Sequence, residues 1–327
     1  MSNLLWLIRR VLQALLVILA MSVIVFIGLH LVGNPVDVLI SQDSTLQERE
    51  ELIRRLGLDQ PLWRQYLRFL ASALQGDLGT SFVYNVPAVS LILQRLPATL
   101  ELAFAALLLA ICIGVPAGLI AGLKPRSTLG KLITTGSILG FSLPTFWVGL
   151  LFIMIFSVSL GWLPASGRGE TRSFLGAEWS FMTIDGLRHM ILPAINLSLF
   201  KVSMVTRLTR SGVREVISQD YVKFARAKGL SPMRIIRKHV LRNTMIPLVT
   251  VLGLEFGSTI AFAVVTESIF AWPGAGKLIL DSIYVLDRPV VVAYLLVVAA
   301  LFVTINLVVD ILYRLLDPRV QIGGAAS

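Results

Sequence analysis

Charged residues are scarce in this chain. Of its 327 residues, 15% are Asp, Glu, Lys or Arg and 56% are hydrophobic. A soluble domain has about 25% charged and about 45–50% apolar residues. This composition excludes a disordered chain and argues strongly against a soluble enzyme. The length leaves room for five to seven spans, because a membrane-spanning helix needs about 20 apolar residues.

Cysteine and catalytic motifs are also lacking. Cys112 is the single cysteine, so an internal disulfide is impossible, and Cys/His spacings typical of zinc sites are absent. The phosphate-binding pattern G-x-x-x-x-G-K-[ST] is not matched, because Leu132 and Leu278 follow the lysines of the two Gly-Lys pairs. G-x-S-x-G and H-E-x-x-H are missing too, which disfavours an intramembrane hydrolase. Energy for any transport must therefore come from another subunit or from an ion gradient.

Uncharged stretches predict six spans. The third stretch is longer than one crossing needs, so part of it is predicted to lie at the interface. Lys201 interrupts the fourth and Glu255 the fifth, and a charge at mid-membrane requires a wet cavity or a partner. Pro97 is expected to open the second span, with Glu101 in its first turn. The stretches are residues 11–36, 102–123, 132–167, 190–206, 244–266 and 290–309.

Loop charge sets the orientation. With the N-terminus inside, the cytoplasmic loops carry seventeen Lys/Arg and three acids, and the outer loops carry eleven Lys/Arg and thirteen acids. Positive charge is retained on the cytoplasmic side of membranes. Both termini are therefore predicted to be cytoplasmic. The same bias explains the formal net charge of +10 without nucleic acid as a partner.

The longest outer loop, residues 37–96, is predicted to be folded. Thr45 and Glu48 have the spacing of a capping box at the start of a helix that ends at Gly57. A second helix is predicted to open with Pro61 in its first turn. Two interpretations remain open for this loop: a cap over the outer helix ends, or a docking surface for an external partner.

A basic cytoplasmic segment, residues 211–243, has the pattern of two helices joined by a tight turn. Gly229 occupies a position typical of a left-handed helix end, and Ser231-Pro232 is typical of a new helix start. Apolar residues at helical spacing predict one stripe on the first helix: Val216, Ile217, Tyr221, Phe224 and Ala225. An amphipathic hairpin resting on lipid headgroups is the alternative.

Three glycines repeat every four residues in the second span: Gly114, Gly118 and Gly122. Rows of small residues let membrane helices approach closely. The row is therefore interpreted as a packing surface.

Several motifs in chain order resemble the permease subunits of ABC importers, and most closely the first permease of the dipeptide/oligopeptide/nickel subfamily. The segment from Asp220 to Leu230, DYVKFARAKGL, is similar to the cytoplasmic coupling motif of these permeases. Two departures stand out: Lys223-Phe224-Ala225 replaces the Glu-Ala-Ala of the general motif, and Lys201 is foreign to the family pattern. The other motifs are LGLDQPL at 56–62, GDLGTS at 76–81, RLPATLEL at 95–102, SLPTFW at 142–147, ESIFAWPGAG at 267–276 and LDPR at 316–319.

The resemblance implies an all-α polytopic membrane protein with the transmembrane fold of a type I ABC importer: six spans, both termini inside, and a folded outer loop after the first span. It implies a multi-pass protein of the bacterial inner membrane, with an N-terminal span and outer loop over residues 1–94. The core permease domain would follow over residues 95–327. The implied partners are a second permease, two cytoplasmic ATPases and a periplasmic or extracellular solute-binding protein. ATP and Mg²⁺ would be bound by the ATPases, and this chain itself would be non-catalytic and hold no cofactor.

Three groups of residues are predicted to serve transport. ATPase coupling is expected at Asp220, Tyr221, Phe224, Ala225, Arg226, Ala227, Gly229 and Leu230. The translocation path is expected to include Lys201, Glu255 and Asn306, and docking of the binding protein is expected at Asp77, Trp272, Pro273 and Gly274. An ion-coupled secondary carrier using Glu255 and Lys201 remains the alternative function, although it would need internal repeats that the sequence does not convincingly show.

Overall fold

The computed structural model describes residues 3–31, 45–56 and 58–316. The chain divides into two compact units, Met1–Leu96 with Lys277–Leu307, and Pro97–Gly276 with Val308–Ser327. Each unit is described by itself below.

The first unit holds helices α1 (Asn3–Leu31), α2 (Leu46–Leu56), α3 (Leu62–Leu74) and most of α11 (Ala275–Tyr284), with the start of one longer helix and most of another. The capping box is confirmed, because the Thr45 amide donates to Glu48 Oε2 at 2.8 Å and the Glu48 amide donates to Thr45 Oγ1 at 3.3 Å. The predicted stop at Gly57 lies outside the described residues. Pro61 is the N-cap residue of α3 rather than part of its first turn.

The second unit holds most of α4 (Ala88–Leu123), then α5 (Thr128–Ser142) and α6 (Thr145–Phe152), which continues as a π-helical segment (Ile153–Ser159). A two-stranded antiparallel hairpin follows, β1 (Arg172–Phe174) with β2 (Ala177–Trp179). The remaining helices are α7 (Ile184–Ile217), α8 (Asp220–Ala227), α9 (Pro232–Ile235) with a π-helical extension to Leu241, α10 (Arg242–Ile269) and the end of α12 (Arg288–Leu316).

Five of these helices are long and apolar enough to cross a membrane, and the count is six when the bent pair α5–α6 is taken as one span. The pair bends by 103° at a break before Thr145. The break coincides with Pro144, whose ring cannot continue the preceding helix. The third stretch is therefore two helices and not one straight crossing, and the interfacial position of part of it stays a prediction.

The predicted start of the second span was wrong. Helix α4 begins at Ala88, so Pro97 and Glu101 lie within it and not in its first turn. Membrane helices tolerate internal proline because neighbouring groups can satisfy the freed backbone atoms. Glu101 is buried against other elements, so its partners, and not the helix dipole, explain its position.

The glycine row of α4 packs against α7, as predicted. A Cβ at Gly118 would lie 2.6 Å from the Thr206 carbonyl oxygen and from Thr209 Cβ, and one at Gly114 would lie 2.8 Å from Val205. Real Cβ atoms do not approach so closely, so these positions hold the two backbones together only as glycine.

Candidate functional site

The cytoplasmic hairpin, residues 211–243, forms the predicted turn. The Leu230 amide donates to the Ala225 carbonyl at 3.3 Å and the Gly229 amide donates to the Arg226 carbonyl at 2.9 Å, which is a Schellman motif. Gly229 has φ +76°, and a Cβ there would meet nothing within 4 Å. The left-handed backbone, and not lack of space, is therefore what requires glycine. Pro232 is the first residue of α9, as predicted, but the Ser231 side chain makes no capping bond.

The predicted single stripe does not lie on one helix. Val216 and Ile217 belong to α7, and the residues of the stripe on α8 are divided between two faces. Val222 and Ala225 are buried in a cluster with Val213 of α7. Tyr221 and Phe224 point away, with 43% and 61% of their surface exposed. Ala225 therefore anchors the helix and has no surface to offer a partner in this conformation. The spacing missed Val222, although its separation of three from Ala225 was a signal for the inner face.

The exposed face of α8 carries Tyr221, Phe224, Arg226 and Ala227. Leu230, also predicted to couple, is half-buried against the cluster of Val222 and Ala225. Tyr221 Oη accepts a hydrogen bond from Asn243 Nδ2 at 3.1 Å, and Lys228 Nζ lies 4.6 Å from the centre of the Phe224 ring. Arg226 and Ala227 are exposed. The face therefore presents two aromatic rings bordered by positive charge.

Asp220 opens α8 at the N-terminal end of that face. Lys223 Nζ donates to Asp220 Oδ1 at 2.8 Å. This hydrogen bond, with the attraction of the ammonium charge, holds the pKa of the Asp220 carboxyl below its usual range.

Lys201 and Glu255 form an ion pair between α7 and α10. Ser258 joins them: its Oγ accepts from Lys201 Nζ at 3.1 Å and donates to Glu255 Oε2 at 3.0 Å. The lysine side chain is 9% exposed and the glutamate side chain 25%. The two charged interruptions of the spans thus neutralise each other, and Ser258 is a member that sequence reasoning missed.

Asn306, the third predicted path residue, lies on α12 in the first unit. Its Oδ1 is buried and, within the part of the chain that the structure describes, has no hydrogen-bond partner. Its role in the path stays a prediction.

Of the four residues predicted to dock a binding protein, two are inaccessible. Trp272 is fully buried and its Nε1 donates to the Ala98 carbonyl at 2.9 Å. Gly274 is also buried, against the Glu267 carboxylate. A docking residue needs exposed surface, so only Asp77, which is exposed, and Pro273, which is half-buried, could serve in this conformation.

Glu101 and Arg168 form a second buried ion pair that the sequence did not reveal. Arg168 Nε donates to Glu101 Oε1 at 2.7 Å, and the Ser180 amide donates to Glu101 Oε2 at 2.9 Å. The arginine also lies 5.9 Å from the centre of the Trp272 ring. No group of three His, Cys, Asp or Glu side chains among the described residues could hold a metal ion.

Comparison with known proteins assigns the chain to a family. Residues 114–322 match the family described as binding-protein-dependent transport system inner membrane component, and residues 3–103 match the N-terminal family of the same membrane components. The di/tripeptide permease protein DppB of Pseudomonas aeruginosa is 45% identical over 88% of this chain and 90% of its own length. The oligopeptide permease protein AppB of Bacillus subtilis is 40% identical over 97% of this chain and 99% of its own.

A solved structure shares the fold. The inward-facing MetNI methionine ABC transporter aligns with a TM-score of 0.54 at 18% identity, covering 69% of this chain and 96% of that one. The chain therefore belongs to the family of inner-membrane components of binding-protein-dependent transport systems. It is a multi-pass inner-membrane permease with the transmembrane fold of an ABC importer, which decides against the secondary carrier.

Proposed function

We propose that this permease forms one half of the translocation path of an ATP-driven importer for peptides, with partner ATPases docked on the exposed face of α8. A second permease would complete the path and a solute-binding protein would deliver substrate from outside. The observation that carries the proposal is the division of α8. Tyr221 and Phe224 are exposed, while Val222 and Ala225 fix the same helix to the membrane domain.

That division is what a mechanical link requires. A helix held only by lipid would yield when a partner pushed on its exposed rings. Here the inner face packs on Val213 near the end of α7, and α7 is one helix from Ile184 to Ile217 that also carries Lys201. Displacement of α8 would therefore move a rigid element that reaches the ion pair inside the membrane, because packed interiors transmit strain.

The pair of Lys201 and Glu255 supports a path through this region. Ionisable groups inside membranes are rare and mark substrate and ion routes. Glu255 keeps a quarter of its side-chain surface exposed despite its lysine and serine partners. We assign Lys201 and Glu255 to the lining of the path.

The substrate class follows from the named relatives. A di/tripeptide permease and an oligopeptide permease match along almost their whole lengths. We therefore propose small peptides as the solute. ATP and Mg²⁺ are assigned to the partner ATPases, and the chain itself makes no covalent change in the peptide.

Uptake by the reconstituted importer tests the proposal. Proteoliposomes with the permease, its partner subunits and its binding protein should accumulate a labelled dipeptide only with ATP inside and binding protein outside. Tyr221→Ala with Phe224→Ala should abolish uptake and weaken ATPase co-purification, whereas Lys223→Ala, on the same helix, should not. Uptake that follows an ion gradient without ATP, or a double alanine variant that transports normally, would refute it.

A further inference from the structure

We propose that helix α3 (Leu62–Leu74) is an interfacial membrane helix whose exposed apolar stripe lies in the outer leaflet. The outer loop is then attached to lipid as well as to protein. This inference does not depend on the solute or on the partner ATPases.

One face of α3 packs on the first span. The Tyr66 ring meets the Phe26 ring edge-on at 5.3 Å, and the Phe69 ring lies 5.8 Å from it. Tyr66 Oη and Ser22 Oγ are hydrogen-bonded at 2.8 Å. These contacts fix both the orientation and the height of α3 against α1.

The height is that of the outer leaflet. The uncharged stretch of α1 begins at Val11, directly after Arg9 and Arg10, and the N-terminus is predicted to be cytoplasmic. At about 1.5 Å per residue, Ser22 lies about 17 Å and Phe26 about 22 Å from Val11, in the outer half of a hydrocarbon core about 30 Å thick. Interfacial helices bury their apolar face about 5–10 Å into the boundary of headgroups and acyl chains. A helix packed on Ser22 and Phe26 is therefore at the depth where lipid is the surrounding medium.

Among the described residues, no contact buries a second apolar stripe of α3. Trp63, Leu67 and Leu74 are separated by four and seven residues, which places them on one side of a helix. Their exposed fractions are 59%, 54% and 82%. The stripe borders the face that packs on α1, and α1 itself has exposed apolar side chains, with Leu19 49% and Ile27 52% exposed.

The charges beside the stripe favour lipid over a soluble partner. Arg64 and Arg68 lie along one edge, and residues 60–76 contain no Asp or Glu. The Arg64 guanidinium lies 5.1 Å from the centre of the Trp63 ring. Tryptophan is enriched at the membrane interface, and arginine extends its charge toward lipid phosphates while its stem covers apolar surface.

Fluorescence quenching in nanodiscs tests the inference with the complete importer. In a Cys112→Ser background, an environment-sensitive fluorophore is attached to Leu67→Cys or Leu74→Cys, and to Ser72→Cys on the opposite side of the same helix as the matched control. Quenchers are a lipid nitroxide near the headgroup, a lipid nitroxide near the terminal methyl, and aqueous iodide.

The labels at positions 67 and 74 should be quenched severalfold more by the shallow nitroxide than by the deep one, and severalfold more than the label at position 72. Iodide should show the reverse order. A Leu67→Glu substitution should remove the lipid quenching at position 74, and Leu67→Met should keep it.

Equal iodide quenching at all three positions would show that the stripe faces water or a soluble partner. Protection from iodide and from both nitroxides would show that a second protein covers it. Either result overturns the inference. Loss of peptide uptake with lipid quenching intact would count against the proposed function alone.

Discussion

The outer and the cytoplasmic ends of the second unit differ in how they treat polar and aromatic side chains. At the outer end, Glu101 is enclosed: its side chain is 1% exposed and both its oxygens accept hydrogen bonds. At the cytoplasmic end, Tyr221 and Phe224 face away from the protein. The Lys201–Glu255 pair lies between, with one partner buried and the other a quarter exposed.

The buried groups at the outer end hold parts of the fold together, whereas the exposed rings at the cytoplasmic end offer a surface to a partner. A buried carboxylate is tolerated only when it is paired and fully hydrogen-bonded, and removing one partner then leaves an uncompensated charge. Exposed rings need no such network and are available to a partner. We therefore expect damage at the outer end to unfold the protein, and damage at the cytoplasmic end to uncouple it.

The largest effect is expected from Arg168→Met. The substitution leaves the Glu101 carboxylate buried beside a single amide donor, which should cost about 3–5 kcal/mol. A large drop in Tm and in the yield of folded protein would be measured in detergent. Arg172→Met changes an exposed arginine of β1 and should leave Tm unchanged. An unaltered Tm for Arg168→Met would show that the Glu101–Arg168 pair does not stabilise the fold.

Lys201→Met should be the next most damaging change. It leaves Glu255 alone in the membrane, at a cost of about 2.5–3.5 kcal/mol on insertion scales. Glu255→Gln should have a comparable effect, and the double variant should assemble better than either single one. Assembly measured by size-exclusion chromatography tests this, and losses that simply add would show that the pair is not an energetic unit.

Gly229→Val should uncouple the permease from its ATPases without preventing insertion of the chain into the membrane. A β-branched residue at φ +76° is strained by about 1–3 kcal/mol, and the first helix of the hairpin should shift. Uptake and ATPase co-purification should both fall. The matched control is Gly176→Val, because Gly176 has φ +77° in the outer β-hairpin and is equally open. If both variants retain their ATPases, the cytoplasmic face is not the coupling surface.

Arg226→Ala should be mild. The side chain lies on the exposed rim of α8, where single charge contacts contribute about 0–1 kcal/mol. Uptake rates should fall little and the fall should shrink further at high salt. A complete loss of uptake would show that Arg226 at the rim of α8, and not the two aromatic rings, makes the main contact with the ATPase.

The smallest effect concerns Asp220. Lys223 lowers the pKa of the Asp220 carboxyl. The contribution of this pair to the stability of the folded protein is therefore present above the ordinary carboxyl pKa and is lost as the pH falls through the lowered value. Lys223→Ala should raise the pKa of Asp220 toward its ordinary range. A titration of aspartate ¹³C carboxyl shifts in micelles measures this, and an unshifted curve would show that the pair does not form in solution.

The sequence determined the apolar stretches that become spans, the capping box at Thr45, the glycine row on α4 and the left-handed turn at Gly229. Each of these is encoded by residues close to one another along the chain: apolar runs long enough to cross a bilayer, small residues at helical spacing, or a backbone conformation that one residue type prefers.

Only the tertiary structure decided which groups meet. The pairing of Glu101 with Arg168, the hydroxyl of Ser258 between Lys201 and Glu255, and the burial of Trp272 all join residues that are distant in sequence. The division of α8 was likewise hidden, because helical spacing identifies apolar positions but does not say which of them another helix will cover. The physical reason is that burial depends on the surfaces brought against a helix by the fold, whereas periodicity depends on the helix alone.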